Sequence, residues 1–186
     1  AESLAEDLAT LAETATPEGL WGDVVTFAVG ERRRAFTLPR ALASARCPYM
    51  RTMFQSGLAE ARAAVVELPD KDEGVYAALV AYLVTDSHGK KMTAENVVSL
   101  LFLSAEYEVA RLRAMAECMV GFNVDVDNVA QVIQIAYFID STRLKNACFY
   151  YASANFSAVK ATAGFAELQQ ELRDELTSKV KEVADR

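Results

Sequence analysis

The chain has 186 residues, 52% of them hydrophobic, with a formal net charge of −7 and an isoelectric point near 4.8. That is enough chain and enough apolar content for one domain with a smaller appendage, and it excludes wholesale disorder. The acidic balance argues against nucleic-acid binding, which needs basic surface to replace phosphate counterions, and no apolar run approaches the ~20 residues that span a bilayer.

Residues 2–13, "ESLAEDLATLAE", place Leu4, Leu8 and Leu11 on one stripe of a short helix that is acidic on its other face. A helix this short is marginal alone, so its leucines need a partner surface in this chain or in a second copy. Thr16-Pro17 breaks the pattern. "DVVTFAVGERRRAFTL" reads as a β-hairpin, with Gly30-Glu31 at its turn and the basic run Arg32-Arg33-Arg34 as solvated turn rather than phosphate site. Pro39 is placed to open the next helix, and a second short helix runs from Pro48 to Phe54, stopped at Gly57. "AAVVELP" is a strand, so Leu58-Ala59-Glu60 reads as the loop leading into it.

Helical patterns follow. Asp70 to Glu73 offers a capping box ahead of Val75, Leu79, Tyr82 and Leu83, and Thr93 caps a helix bearing Val97, Leu100, Leu101 and Ser104. Val109, Leu112, Met115, Ala116 and Met119 share another. After Phe122 the strand signals stop, and "DVDNVAQVIQIAYF", "STRLKNACFYYASANF" and "GFAELQQELRDELTSKV" read as three further helical segments. The expected fold is α+β, a small mixed sheet with a hairpin flanked by helices, followed by an all-α extension over the last third.

Candidate chemistry is sparse. The single histidine, His88, lies in the polar turn "TDSHGKK" without an acidic or cysteine partner at ligand spacing. The sequence carries no GxSxG, HExxH, P-loop or GxGxxG pattern, so no catalytic residue, metal site or cofactor is assigned and an enzyme is not expected. Asp125-Val126-Asp127 reads as a cap, and Phe149-Tyr150-Tyr151 as partly buried helix rather than a stacking platform. Cys47, Cys118 and Cys148 are widely spaced and odd in number, with no CxxC pair, which disfavours zinc and disulfides. Free thiols among apolar residues fit a reducing, intracellular compartment, cytoplasmic or nuclear. No signal-peptide pattern is visible. Because the chain begins with Ala rather than Met, it is expected to be a piece of a longer protein.

Particular residues go further. Asp23-Val24 at the first strand, Phe36 in the second, Arg40 with Leu42, Cys47-Pro48-Tyr49-Met50, Met53-Phe54, Val65-Val66-Glu67-Leu68 and Leu79-Tyr82-Leu83 form an ordered set that resembles a BTB/POZ domain. "LLFLSAEYEVARL" resembles the family's later helix pair, and Asn123 to Val159 is similar to the opening helices of a BACK region. The resemblance implies a BTB/POZ domain over 1–122, including an N-terminal dimer helix, and a partial BACK-like extension over 123–186. Three positions depart from the family pattern: Pro39 for a usual histidine, Cys47 for a helix-capping serine and Val84 for a frequent tyrosine. Losing the serine cap costs ~1 kcal/mol locally.

The family generally forms two-fold dimers, which would put Leu4, Leu8, Leu11, Leu42 and Tyr49 at an isologous interface; packing of the leucines within one chain is the competing reading. Asp23 and Arg40 match the family's buried charged pair near that seam. Many BTB–BACK proteins are adaptors of cullin-3 ubiquitin ligases and use an apolar-x-Glu element, which falls here on Leu58-Ala59-Glu60. Phe54 and Phe122 join Leu58 and Glu60 as implied cullin contacts, with the 128–139 helix nearby. The substrate would be held by a domain outside this chain. The alternative is a homodimerising scaffold, a co-repressor or assembly module, that binds no cullin.

Overall fold

A computed structural model of the protein describes residues 23–87, 89 and 92–184, with the side chains of Glu60 and of residues 181–184 left out. The expected leucine stripe of Leu4, Leu8 and Leu11 and the turn histidine His88 lie outside the described residues.

Alternating apolar residues make β1 (Val24–Val29) and β2 (Arg34–Pro39) an antiparallel hairpin in which Phe27 faces Phe36 and Val24 faces Pro39. The turn needs positive φ at Gly30 (72°) and at Arg33 (53°). A side chain at Gly30 would also meet Glu73 Cγ at 2.9 Å. β3 (Val65–Leu68) pairs parallel to β1, giving the order β2-β1-β3 and confirming a mixed sheet. A parallel pair cannot be joined by a tight turn. The connection from the hairpin to β3 is made by α1 (Arg40–Arg46), α2 (Pro48–Gln55) and the single turn α3 (Ala59–Arg62).

Two local readings change. Pro39 closes β2 with ψ 130° and precedes α1 instead of occupying its first turn, because its extended ψ keeps it in the strand. The segment expected as a loop contains α3, with the amide of Ala61 donating to the Leu58 carbonyl at 3.1 Å.

α4 (Glu73–Thr85) is capped by Asp72, whose carboxylate accepts from the Val75 amide at 2.8 Å. It ends where Asp86 adopts φ 61°. Thr93 caps α5 (Ala94–Glu106), and α6 (Ala110–Phe122) follows. The described residues up to Ala114 form one compact unit and those from Met115 a second, so the division falls within α6. The core of the first unit surrounds the buried ring of Tyr76, which lies 5.7 Å from Phe27, 5.6 Å from Phe36 and 6.1 Å from Tyr107 between centroids. Beside it Arg46, buried at the end of α1, donates to the Tyr82 carbonyl at 3.1 Å and to Asp86 at 2.8 Å. Arg111 approaches the other Asp86 oxygen. Partial burial pushes the Asp86 carboxyl up, but the Arg46 hydrogen bond and the Arg111 charge outweigh it and hold the group below the usual carboxylate range.

The second unit is all helix: α7 (Val129–Phe138), α8 (Thr142–Ala154), α9 (Phe156–Lys160), α10 (Ala163–Glu167) and α11 (Gln170–Ala184). Ser141 and Thr162 cap α8 and α10 by accepting from Leu144 and Phe165 amides. Asp125 accepts from the amides of Asp127 and Asn128 and so closes the turn ahead of α7, whose own cap position is Asn128 and carries no side-chain cap bond. The stretch read as one last helix is two, because Leu168 turns extended and buries its side chain while Arg173 donates to the Leu168 carbonyl at 2.8 Å. Cys47 and Cys148 are buried free thiols, and burial pushes them up to about 11 and about 12. Among the described residues, no helix is long and apolar enough to cross a membrane.

Candidate partner-binding site

The end of α2 sets up the most exposed large hydrophobic side chain among the described residues of the first unit. The Ser56 hydroxyl donates to the Met53 carbonyl at 2.8 Å and accepts from the Leu58 amide at 3.3 Å. Between them Gly57 sits at φ 73° with open space around it, so glycine is needed there for its backbone and not for room. The chain therefore reverses tightly, and Leu58 emerges 65% exposed just before α3. A single exposed apolar side chain is ordinary in itself; what distinguishes Leu58 is that it stands on a hydrogen-bonded turn beside an apolar groove.

Leu58 stands on the rim of a groove of about 450 Å³ lined chiefly by Phe27, Tyr49, Met50, Met53, Val66 and Tyr107. α2 supplies one wall and β3 the other. Tyr49 and Tyr107 stack at 4.7 Å between centroids. Burial raises the Tyr107 phenol well above its ordinary range, so it is a neutral wall at any physiological pH. The Cys47 thiol, without the serine that would cap α2, donates instead to the Tyr107 carbonyl at 3.4 Å. Glu67, at the groove's edge, is paired with Arg33 of the hairpin turn. Methionine and tyrosine walls can reshape around an aliphatic or aromatic side chain entering from a partner.

A second concavity, of about 280 Å³, lies where the start of α4 meets α5. Its lining is charged: Asp70, Lys71, Asp72 and Glu106 with Val75, Ser99, Phe102 and Leu103. The Lys71 ammonium spans both Glu106 oxygens at 2.7 and 2.6 Å.

The expected site residues fall in different places. Tyr49, assigned by resemblance to a dimer seam, forms part of the groove wall. Leu42, assigned to the same seam, is only 7% exposed, because it lies on the face of α1 that packs into its own chain. Phe54 is half-buried, its ring covered by the Arg40 guanidinium at 4.9 Å, and it does not line the groove. Phe122 is 90% exposed at the end of α6, in the second unit. Asp23 and Arg40 do pair, at 3.0 Å, but the pair is not buried: Arg40 is 12% exposed and Asp23 70%. The arginine is covered because it also donates to the carbonyls of Ala61, at 3.0 Å, and Ala63, whereas the aspartate precedes β1 at the surface. The Glu60 side chain lies outside what is described. Sequence reading passed over Ser56, Val66 and Tyr107 as site residues; the Ser-Gly pair closing α2 was the available signal for the first of them.

The family model for the BTB/POZ domain matches residues 21–121. "Kelch repeat and BTB domain-containing protein 4" of Homo sapiens is 30% identical over 162 residues, covering 87% of this chain and 29% of that protein. The protein of the same name in Mus musculus is 29% identical over the same length. "BTB/POZ and MATH domain-containing protein 6" of Arabidopsis thaliana is 26% identical over 182 residues, with 89% of this chain and 43% of that protein covered. The chain thus spans less than half of the length of these relatives. With a mixed sheet flanked by helices and a match over more than half its length, this chain belongs to the BTB/POZ family of protein-interaction domains.

Proposed function

We propose that the chain is the dimerising, cullin-3-binding adaptor part of a ubiquitin ligase substrate receptor, and not an enzyme. The observation that carries this reading is Leu58: an aliphatic side chain 65% exposed, on a hydrogen-bonded turn, beside an apolar groove. In such an arrangement Leu58 enters a pocket on the partner while a partner side chain enters the groove, and the desolvated leucine becomes the energetic centre of the contact. Glu60 follows on α3 as an acceptor for partner donors, and Phe122 is a further apolar contact. Residues 123–186 are assigned to the opening helices of a BACK region after a BTB/POZ domain over 1–122. The relatives' names pair BTB with kelch repeats or with a MATH domain. By that analogy a separate domain takes the substrate, and the protein works inside the cell.

The test is calorimetric titration with a cullin-3 N-terminal domain. The unmutated protein should bind at micromolar affinity or tighter, and Leu58→Asp should abolish binding without changing the melting temperature. Absence of binding by the unmutated protein overturns the adaptor reading and leaves a homodimerising scaffold. Light scattering decides the dimer separately: a strictly monomeric species at micromolar concentration removes it from either reading.

A further inference from the structure

Leu58 cannot fix its own position. With most of its surface in water it gains little from packing, and α3, a single helical turn of four residues, is too short to be stable on local hydrogen bonds. Something outside the turn must hold it. On its N-terminal side the Ser56 hydroxyl bridges the Met53 carbonyl and the Leu58 amide. On its C-terminal side the carbonyls that no helical amide reaches are those at and beyond the last turn. Two of these, of Ala61 and Ala63, converge on one side chain from elsewhere in the fold.

That side chain is Arg40, the first residue of α1. One terminal nitrogen donates to the Ala61 carbonyl at 3.0 Å, the other to the Ala63 carbonyl, and Nε to Asp23 at 3.0 Å. Its flat face lies over the Phe54 ring, near the end of α2. A guanidinium is rigid, planar and permanently charged, so its donors point in fixed directions. It therefore specifies the geometry of the two carbonyls as well as attracting them. We propose that Arg40 is a positioning residue for partner binding: it clamps the far end of the turn carrying Leu58, and so presents that leucine to the partner without touching the partner itself. The inference rests on the partner-binding reading of Leu58 given above. Of the four Arg40 contacts, the ion pair with the exposed Asp23 contributes least, since solvent screens it. The carbonyl fork does the positioning.

The two parts separate by mutation. Arg40→Lys keeps the charge facing Asp23 but replaces the fork with one ammonium that cannot reach both carbonyls in their planes. Asp23→Asn removes the ion pair and keeps the fork. Hydrogen exchange, read peptide by peptide, should show Arg40→Lys speeding exchange over residues 57–63 about tenfold or more, with α4 and α5 unchanged. Asp23→Asn should leave that peptide as it was. Binding to the cullin-3 N-terminal domain should weaken about tenfold in Arg40→Lys, through faster dissociation, and stay within about twofold in Asp23→Asn. In a Leu58→Ala background the Arg40→Lys effect on affinity should vanish, because the residue being positioned is gone. A merely structural arginine would instead give additive losses and faster exchange throughout the unit. Either of those results, or unchanged exchange at 57–63, overturns the proposal. If the unmutated protein fails to bind cullin-3, the functional reading falls, while the exchange experiment still decides whether Arg40 clamps the turn.

Discussion

Two concavities of the first unit share a neighbour and differ in chemistry. Tyr107 lines the apolar groove, and the Lys71 ammonium that bridges the polar cleft lies 6.0 Å from the centre of its ring. In the cleft Lys71 and Glu106 are paired and the Asp72 carboxylate is taken up by the Val75 amide, so a partner would have to compete with the Lys71–Glu106 pair. In the groove the walls are aromatic rings and thioethers, and the rim carries an exposed leucine with no comparable competitor but water. Desolvation favours association at the groove and opposes it at the cleft. Size points the same way, and the lining decides it.

Four changes test that contrast. The largest effect is expected from Tyr107→Ala, which removes the ring shared by Tyr49, Tyr76 and the groove wall; denaturant unfolding should show a loss of about 3 kcal/mol or more. A loss under about 1 kcal/mol would mean the ring is not part of the core. Leu58→Asp is next. Partner affinity should fall about 100-fold or more, while melting moves by no more than about 2 °C, because the side chain is exposed. An equal fall in stability would make Leu58 a packing residue.

The third concerns the buried Cys47, whose thiol donates to the Tyr107 carbonyl. Its folded thiol is raised from 9.0 to about 11, so both states are neutral below pH 9 and the full contribution is present there. Above pH 9 the unfolded thiol loses its proton first, and stability declines as pH rises toward 11. Unfolding measured at pH 8 and pH 10.5 should show a smaller drop in Cys47→Ala than in the unmutated protein. An identical drop would mean that the thiol is not held in an apolar, buried setting. The smallest effect belongs to Lys71→Met in the cleft: about 0.5 kcal/mol or less, the range of a partly exposed ion pair, with partner affinity unchanged.

Much of this was legible in the chain, and the reasons are local. Thr93 caps its helix as read, because a short oxygen-bearing side chain before an apolar run satisfies the first free amides; the acidic stretch from Asp70 to Glu73 does hold a cap, but it is Asp72 alone and not a capping box. The hairpin was readable from alternation and Gly30, since β1 and β2 are neighbours in sequence. Less was legible where distant residues decide. α3 has no apolar repeat long enough to register as a helix, and its carbonyls are held by Arg40 from a different element. Leu42 and Tyr49 are only seven residues apart and were assigned together, yet one faces the core and the other the groove, because α1 and α2 turn different faces inward on either side of Cys47. The Asp23–Arg40 pair was expected as a unit, but its two ends meet different amounts of solvent.

By itself the amino-acid sequence determined the class of the fold, the position of the hairpin and strands, and most helix starts. Those features depend on periodicity, turn chemistry and capping, all of which act over a few residues. Only the tertiary structure decided that Leu58 borders a groove built from α2, β3 and Tyr107, and that Arg40 reaches across to hold its turn. The cause is physical: a groove and a clamp are made by side chains far apart in the chain, and their meeting is settled by how helices and strands pack.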